Sequence, residues 1–567
     1  MIIQNRVSRL TSLLLLGAVF FASTPRVRTQ QQQQPAERSR RAVAQPTPSP
    51  TATPTPVPTP VVTPGLTPEA ITIPAPAPAR SAVTTRTLAE LQARIAGVLQ
   101  KAELAPAMVG IKVASLDSGR VLFEENAQKL LRPASNLKLY TIAAALDRLS
   151  PDFRFQTSVY ALARPDANGT LRGNLTIYGR GDPSLAARFN NGDYFKGIND
   201  LAAQIAASGV KRVEGDLVGD ETYFIGPQYG SGWDWDDLQW WYGAEVSALT
   251  SNDNALDFWV KPGPEVGSPA VVTTGPPDPL LTIANKVVTG PRGSKRDLNM
   301  HRRLNSDVME IAGSIPLDDR GYTAGIGISH PALLFVYLLR TALAERGVTI
   351  TGKSRTIPPL SFGNAGAAPQ PTGLVEIAVL KSPPLSIVAA QTLKPSQNLY
   401  TELILRTLGK VVPPAATSSA TINTTEDAGL EVVRTFLREA GLRPGTLSLT
   451  DGSGLSRNDM VTAEASVQLL TYMSRHRYAS VFHDGLPIAG VDGTLRNRMK
   501  GTAAENNLRA KTGSLSSAAS LSGYVTSAAG EHLVFSIMVN NYPEDAEVRA
   551  ICIDPIAVLL ASFAGRS

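Results

Sequence analysis

The chain has 567 residues, which is long enough for two or more domains. Hydrophobic residues make up 43% of it and charged residues 18%, a composition typical of a globular protein with a substantial core. The net charge of +6 and the pI near 9.2 are mildly basic, and because no dense lysine and arginine stripe with interleaved aromatic residues occurs, nucleic-acid binding is not expected.

The first residues of the chain have the pattern of an export signal. Arg6 and Arg9 precede an apolar stretch at 10–22, which is too short to span a bilayer comfortably. Small residues at 22–24 fit a cleavage site. We therefore predict that residues 1–24 are a signal peptide and that the protein is exported. An uncleaved anchor is the alternative, and membrane contact is expected through that segment at most.

Residues 25–84 have a composition that cannot build a core. Glutamine fills 30–34, and proline, threonine and alanine dominate 46–79. Segments of this kind stay extended and semi-rigid. We predict a disordered spacer that holds the rest of the chain away from a membrane or wall.

A Ser-x-x-Lys motif at Ser135 and Lys138 begins the next predicted helix. A serine hydroxyl needs a neighbouring base, and a lysine three residues further along a helix lies on the same face. Its amine must be neutral to act, which requires burial or a nearby cation. A second copy at 208–211 is interrupted by Gly209, whereas Ser135 opens an apolar stripe at helical spacing over 137–146. The first copy is therefore the predicted nucleophile and base.

A Ser-x-Asn motif at Ser396 and Asn398 heads another apolar helical pattern. A second copy at 456–458 lies in a glycine-rich loop, so the helical copy is preferred. The Ser396 hydroxyl can relay a proton between the base and a leaving group. The Asn398 amide can orient both a substrate carbonyl and the amine of Lys138.

Lys511, Thr512 and Gly513 form the rarest of the three motifs. Lys511 would supply the cation that lowers the pKa of the base. The residues that follow predict a small-residue turn at 520–526 and a β-hairpin through 532–539.

In this order and context, the three motifs resemble those of the D-alanyl-D-alanine carboxypeptidases/endopeptidases of the class C low-molecular-mass penicillin-binding type, within the penicillin-recognising serine transferases. Further stretches that resemble this family lie at 179–185, 215–220, 242–249, 451–457 and 490–496. The resemblance runs from about residue 88 to the C-terminus and so covers the whole region after the spacer.

The resemblance implies a role for each matching position in the first two motifs. Ser135 would be the acylated nucleophile, and Lys138 would be its base. Ser396 and Asn398 would flank the site from a helical subdomain.

The third motif would form the opposite wall of the same cleft. Lys511 and Thr512 would lie on a strand that binds the terminal carboxylate of the substrate, followed by Gly513. The backbone N–H groups of Ser514 and Ser135 would form an oxyanion hole.

The implied function is that of a serine-type D-Ala-D-Ala carboxypeptidase, a D,D-endopeptidase, or both, acting on peptidoglycan peptides in the bacterial periplasm or cell envelope. β-Lactam antibiotics would be inhibitors. No cofactor is expected, and because the five histidines are scattered, no metal site is expected. The alternatives are a β-lactamase and a non-catalytic envelope scaffold that keeps the fold. The oligomeric state is not predicted.

The distance between the motifs predicts the architecture. More than 250 residues separate Lys138 from Ser396, far more than one loop requires. We predict an α+β fold: a discontinuous penicillin-binding and β-lactamase-like transpeptidase domain at 85–160 and 371–567, made of an antiparallel sheet packed by helices and a helical subdomain, with a large, mostly β insertion at 161–370. A hairpin at 109–123 would join the C-terminal hairpin in one sheet, and a helix would return at 380–393.

The remaining side chains that we singled out have predicted structural roles. Cys552 lies on the apolar side of a predicted C-terminal helix at 547–563, so we assign it to the core. The clustered tryptophans are expected to pack under the insertion rather than to stack on a sugar; they are Trp233, Trp235, Trp240 and Trp241. Three aspartates are expected mainly to cap loops and secondarily to lie near the site; they are Asp451, Asp459 and Asp492.

Overall fold

A computed structural model describes residues 85–304, 306–362, 372–412, 422–543 and 545–567. The predicted signal peptide at 1–24 and the predicted spacer at 25–84 lie outside the described residues. In the described part of the chain, no helix is long and apolar enough to cross a membrane.

Ten α-helices and several shorter helical turns are described. The α-helices are α1 (Leu88–Leu99), α2 (Lys138–Leu149), α3 (Lys196–Ala207), α4 (Pro331–Ala344), α5 (Leu385–Leu393), α6 (Asn398–Val411), α7 (Thr425–Glu439), α8 (Ala463–Ser474), α9 (Ala479–Asp484) and α10 (Asp554–Ala561). Short 3-10 helices lie at Ala102–Leu104, Ala134–Leu137, Ala187–Phe189, Trp241–Gly243, Asn252–Asn254 and Gly493–Leu495, and a π-helical turn lies at Arg549–Ile553.

The described strands fall into several sheets. They are β1 (Met108–Ser115), β2 (Val121–Glu125), β3 (Gln156–Ala161), β4 (Thr170–Arg172), β5 (Leu175–Tyr178), β6 (Arg212–Glu214), β7 (Leu217–Asp220), β8 (Ala255–Lys261), β9 (Val271–Gly275), β10 (Thr282–Gly290), β11 (Asp297–Arg302), β12 (Val308–Pro316), β13 (Tyr322–Gly327), β14 (Thr349–Ile350), β15 (Ser354–Ile357), β16 (Val375–Lys381), β17 (Leu447–Ser448), β18 (Met460–Val461), β19 (Arg509–Leu515), β20 (Ala518–Thr526) and β21 (His532–Asn540).

One five-stranded antiparallel sheet joins the two ends of the described chain. Its strand order is β19-β20-β21-β1-β2, which confirms the prediction that the hairpin at 109–123 pairs with the C-terminal strands. The predicted turn at 520–526 is wrong, because these residues form most of β20, an interior strand of the sheet. Their small side chains reflect close packing: a Cβ on Gly523 would lie 2.1 Å from the Arg509 carbonyl oxygen.

Both faces of this sheet are buried. On β21, Phe535 and Ile537 pack into a core with α1 and α10, whereas Val534 and Met538 pack into a second core with α2 and the helical subdomain. The predicted core position of Cys552 is confirmed, since its thiol is buried in the first of these cores. The sheet is thus held between two layers of helices.

Helix α2 is the central element of the helical side. Ten of its twelve residues are buried, on every face of the helix. A helix that is apolar all round belongs inside a core. Its first turn, which carries the predicted base, is therefore fixed by packing on all sides.

The α+β class with a large, mostly β insertion is confirmed. Between β3 and β16, a second five-stranded sheet of order β15-β7-β5-β3-β16 packs against α3 and α4, and three smaller sheets accompany it. Because β3 pairs with β16, we propose that the insertion runs from 156 to 381 rather than from 161 to 370. The helix predicted at 380–393 begins only at Leu385, after the end of β16.

Candidate active site

The three predicted motifs occupy the ends of three elements. Ser135 lies in the 3-10 helix Ala134–Leu137, which runs directly into α2, and Lys138 is the first residue of α2. Ser396 and Asn398 lie at the start of α6, and β19 carries the residues from Lys511 onward.

Lys138 is fully buried and has three oxygen neighbours. Its Nζ lies 2.9 Å from Ser135 Oγ, 2.6 Å from Asn398 Oδ1 and 2.7 Å from the carbonyl oxygen of Ser453. The amide and carbonyl oxygens can only accept hydrogen bonds. A neutral amine that keeps these two bonds has one direction left for its lone pair, and that direction faces the Ser135 hydroxyl.

The charge state of Lys138 fits this arrangement. Burial lowers the pKa of its amine to about 7, although the charges of Asp451, Glu402 and Asp459 oppose the shift. Of the two expected causes, burial and a repulsive charge on Lys511, burial is the one that lowers this pKa. A substantial fraction of the amine is neutral near neutral pH, as a general base must be.

Lys511 is also fully buried and lies beside the second motif. Its Nζ donates to Ser396 Oγ at 2.8 Å and to the carbonyl oxygen of Thr512 at 2.7 Å. Burial, and then repulsion by Lys138, lower the pKa of Lys511 well below its usual value. A bound carboxylate would favour the charged form and raise this pKa again.

The second motif joins the two lysines. Ser396 contacts Lys511, while Asn398 contacts Lys138 and also donates from Nδ2 to the carbonyl oxygen of Tyr242 at 2.8 Å. One Nδ2 hydrogen is therefore committed to Tyr242 and the other is left to meet a substrate carbonyl. The proton relay through Ser396 stays a prediction.

The strand β19 lies directly against the segment that carries Ser135. A Cβ on Gly513 would lie 2.4 Å from the Pro133 carbonyl oxygen and 2.1 Å from Ser520 Oγ, so only glycine fits at this position. Ser520 itself donates to the Pro133 carbonyl at 2.6 Å. The glycine of the third motif thus permits the close approach of the two walls.

No role was predicted for Asn136, a buried asparagine inside the first motif. With its amide nitrogen facing the Lys511 carbonyl oxygen, 2.7 Å away, the Asn136 side chain places its oxygen 2.7 Å from Ser522 Oγ. It ties the first turn of the nucleophile helix to both β19 and β20. The signal available in the sequence was a polar residue within an otherwise apolar helical stripe.

The loop that follows α7 supplies the third neighbour of Lys138. The Asp451 carboxylate accepts hydrogen bonds from the four backbone N–H groups of 453–456, at 2.6 to 3.1 Å. This holds the Ser453 carbonyl towards Lys138. Asp451 thus caps its loop, as expected, and lies within the site.

The inserted region also reaches the site. Trp233 donates from Nε1 to Asp451 at 2.9 Å and packs against Ala134, as expected for this cluster. The packing prediction is wrong for Trp235, whose side chain is 63% exposed. A loop of the insertion therefore forms part of the wall around the predicted nucleophile.

The predicted oxyanion donors lie at opposite walls. The N–H of Ser135 belongs to the first turn of a helical segment, where backbone donors lack a helical acceptor. Ser514 lies on β19, which is an edge strand of its sheet. Their joint action on one oxygen stays a prediction.

A separate cavity of about 780 Å³ lies beyond the far end of α2. Lys112, Glu464 and His476 are among its lining residues, and none of the residues of the three motifs lines it. This cavity is therefore separate from the candidate active site. Within the described ranges, no group of three or more His, Cys, Asp or Glu side chains is arranged to hold a metal ion.

Comparison with known proteins identified a family and relatives that are similar in sequence. The model of the D-Ala-D-Ala carboxypeptidase 3 (S13) family matches residues 91–563. A D-alanyl-D-alanine carboxypeptidase of Actinomadura sp. (strain R39) is 34% identical over 506 residues, covering 87% of this chain and 89% of that protein. D-alanyl-D-alanine carboxypeptidase DacB of Haemophilus influenzae is 24% identical over 441 residues, covering 76% of this chain and 85% of its own.

Solved structures share the fold. The crystal structure of penicillin binding protein 4 (DacB) from Haemophilus influenzae superposes with a TM-score of 0.68 at 22% identity, covering 83% of this chain and 99% of that one. A second structure of the same protein, complexed with a β-lactam, gives a TM-score of 0.65 at 21% identity, over 82% and 97% of the two chains.

Proposed function

Because the chain belongs to the D-Ala-D-Ala carboxypeptidase 3 (S13) family, we propose that its serine nucleophile is Ser135 and its general base is Lys138. The protein is a serine-type D-Ala-D-Ala carboxypeptidase, a hydrolase that acts on peptidoglycan. The observation that carries the assignment is the buried amine of Lys138, which has two pure acceptors on one side and the Ser135 hydroxyl on the other.

Acylation begins with attack of Ser135 Oγ on the carbonyl of the penultimate D-Ala. Lys138 takes the hydroxyl proton as the new C–O bond forms, and the carbonyl oxygen becomes an oxyanion that backbone N–H groups stabilise. When the C–N bond breaks, the proton passes to the leaving amine and terminal D-Ala departs. Water then attacks the ester, with the neutral Lys138 amine taking its proton, and frees the shortened peptide and Ser135.

Recognition of the substrate's C-terminus falls to the β19 wall. In the charged form that a bound carboxylate favours, Lys511 has three N–H groups; two of them donate within the described site, so the third is left for the substrate carboxylate. Thr512, on the same strand, has a hydroxyl that donates to Thr494 Oγ1 at 2.7 Å and would turn from it to meet the carboxylate. Asn398 holds the peptide carbonyl from the opposite side with its second amide hydrogen. These roles account for a preference for peptides with a free C-terminal carboxylate.

Three further features belong to the proposal. A β-lactam ring offers Ser135 a strained amide in place of the peptide bond, so penicillins would acylate it and act as inhibitors. Cleavage of D-amino-acid crosslinks between peptidoglycan peptides would use the same steps with a larger leaving amine. Cleavage of the D-Ala-D-Ala end and cleavage of crosslinks both fit an enzyme that works at the bacterial cell wall, after export directed by the segment 1–24.

The acylation rate should depend on pH through the Lys138 amine. Since burial lowers its pKa to about 7, the neutral form is scarce below that pH and dominant above it. The second-order rate constant of acylation by a penicillin is expected to rise with pH and to level off above about 7. Stopped-flow or quenched-flow measurement across the neutral pH range would show this rise of the rate constant. A rate that does not change with pH there would remove Lys138 as the base.

Release of D-Ala tests the function itself. A diacylated L-Lys-D-Ala-D-Ala peptide should lose terminal D-Ala with the wild-type protein, and the same peptide ending in L-Ala should be a poor substrate. Ser208→Ala, in the second Ser-x-x-Lys copy, should behave as wild type, whereas Ser135→Ala should release none.

The alternatives give different results in this assay. Rapid turnover of penicillin without D-Ala release would identify a β-lactamase. A folded protein that neither binds penicillin nor cleaves the peptide would be a scaffold.

A further inference from the structure

A cationic side chain from the C-terminal segment lies at the end of the substrate-binding strand. Arg549 Nη2 donates to Ser514 Oγ at 2.6 Å. Arg549 is half-buried, while Ser514 is exposed at the end of β19. Arg549 also begins the π-helical turn Arg549–Ile553, a rare backbone form that is found frequently at functional sites.

The carboxylates of Glu547 and Asp554 attract the charge of Arg549 only from beyond ion-pair distance. Among the described residues, no carboxylate lies within ion-pair distance of its guanidinium, although such pairs are formed nearby. Asp554 is committed to Arg498, which donates to it from both Nε and Nη2. Burial and repulsion by Arg498 lower the pKa of Arg549, so the site favours an added anion.

The hydrogen bond from Arg549 determines what the Ser514 hydroxyl can do. An arginine only donates, so Ser514 Oγ is the acceptor and its own proton must point elsewhere. Ser514 and Thr512 are two residues apart on a strand, so their side chains leave the same face. Thr512 Oγ1 donates to Thr494 Oγ1 at 2.7 Å, so the hydroxyl donor that a carboxylate would meet at this face is Ser514, with the positive charge of Arg549 behind it.

We propose that Arg549 is the positioning residue of the carboxylate subsite: it turns the Ser514 hydroxyl into a donor and supplies the charge that selects substrates with a free C-terminal carboxylate. This inference rests on the proposed function, in which acyl transfer occurs at Ser135. It adds a residue from the C-terminal segment to a wall otherwise built from β19.

A purely structural role for Arg549 predicts something different. The contact with Ser514 also ties the π-helical turn to β19, and its loss would then disturb the whole wall. Such a disturbance would slow acylation by every substrate alike. A charge that recognises the carboxylate would matter only for substrates that carry one.

The test compares benzylpenicillin with its methyl ester, in which the carboxylate is blocked. Arg549→Gln is expected to lower the acylation rate constant for the free acid by about 10- to 100-fold, the effect of losing one charge-assisted contact, and to leave the ester within about twofold. Arg549→Lys should recover part of the loss because the charge returns. Arg475→Gln removes an exposed arginine of the helical side and should leave both rates unchanged.

The outcomes separate the possible failures. Equal losses for acid and ester, or no loss for either, would overturn the role of Arg549 while acylation at Ser135 stands. A wild-type protein that neither compound acylates would overturn the proposed function and this inference with it. A selective loss for the free acid supports the assignment.

Discussion

Replacing Lys138 with methionine is expected to lower the rate of Ser135 acylation by at least about 10³-fold. Methionine keeps the length and fills the buried space, but it has no lone pair that can accept the serine proton. The measurement is the acylation rate with a fluorescent penicillin, together with thermal unfolding. Lys211→Met, which alters an exposed lysine in the second Ser-x-x-Lys copy, is the matched control and should behave as wild type.

The same substitution leaves two buried acceptors without a donor. Asn398 Oδ1 and the Ser453 carbonyl oxygen both lose their contact with Nζ, which costs about 1–3 kcal/mol for each buried group left unsatisfied. A lower unfolding temperature is therefore expected as well. A folded Lys138→Met protein that acylates at the wild-type rate would remove Lys138 from the mechanism.

Replacing Gly513 with alanine is expected to lower acylation by at least about 10²-fold, because β19 must move away from the nucleophile's segment by roughly 1 Å. The added Cβ would lie 2.1 Å from Ser520 Oγ and 2.4 Å from the Pro133 carbonyl oxygen. Overpacking of this kind also costs about 1–3 kcal/mol of stability. Acylation kinetics and thermal unfolding measure the two effects.

A second glycine offers a matched control. Gly97 is exposed on α1, and nothing lies within 4 Å of the position of an added Cβ, so Gly97→Ala should leave the acylation rate unchanged. An unchanged rate and unfolding temperature for Gly513→Ala would show that the two walls are not in the close contact described above.

The backbone around the nucleophile is held in uncommon conformations. Ala134 has a φ of 47° and Ser396 a φ of 65°, values that residues other than glycine rarely adopt. Both residues adjoin or belong to the proposed machinery. Strain of this kind persists only where the surrounding structure enforces it, and it clusters at active sites.

Local sequence patterns were sufficient for the elements that carry the motifs. The apolar stripe after Ser135 predicted α2, and the pattern after Asn398 predicted α6, because helical periodicity is strong in both. The distance between the motifs predicted an insertion. These features depend on periodicity and length, which a single sequence displays directly.

The features that the sequence did not reveal depend on contacts between distant segments. Ser520 and Gly523 are small because they lie close to the Pro133 carbonyl and to β19, and small residues alone indicate a turn. Asn136 bonds to residues almost four hundred positions later, and Trp233 reaches Asp451 from within the insertion. No local pattern encodes such partners.

The sequence also could not determine what lowers the pKa of Lys138. The motif left both burial and a neighbouring cation open, whereas the structure makes burial the main cause. Burial of a lysine cannot be predicted from a stripe of apolar neighbours, because the same pattern fits a lysine at the edge of a core with its amine in water.

Mass spectrometry of the penicillin-treated protein tests the central claim most directly. Trypsin releases residues 130–138 as one peptide, since Pro133 protects Arg132, and Ser135 is the only hydroxyl-bearing residue in it. We predict that this peptide gains the mass of one intact penicillin in the wild type and in Ser208→Ala, and none in Ser135→Ala. An adduct on any other peptide, or no adduct on a folded protein, would contradict the proposal that Lys138 activates Ser135 for acyl transfer.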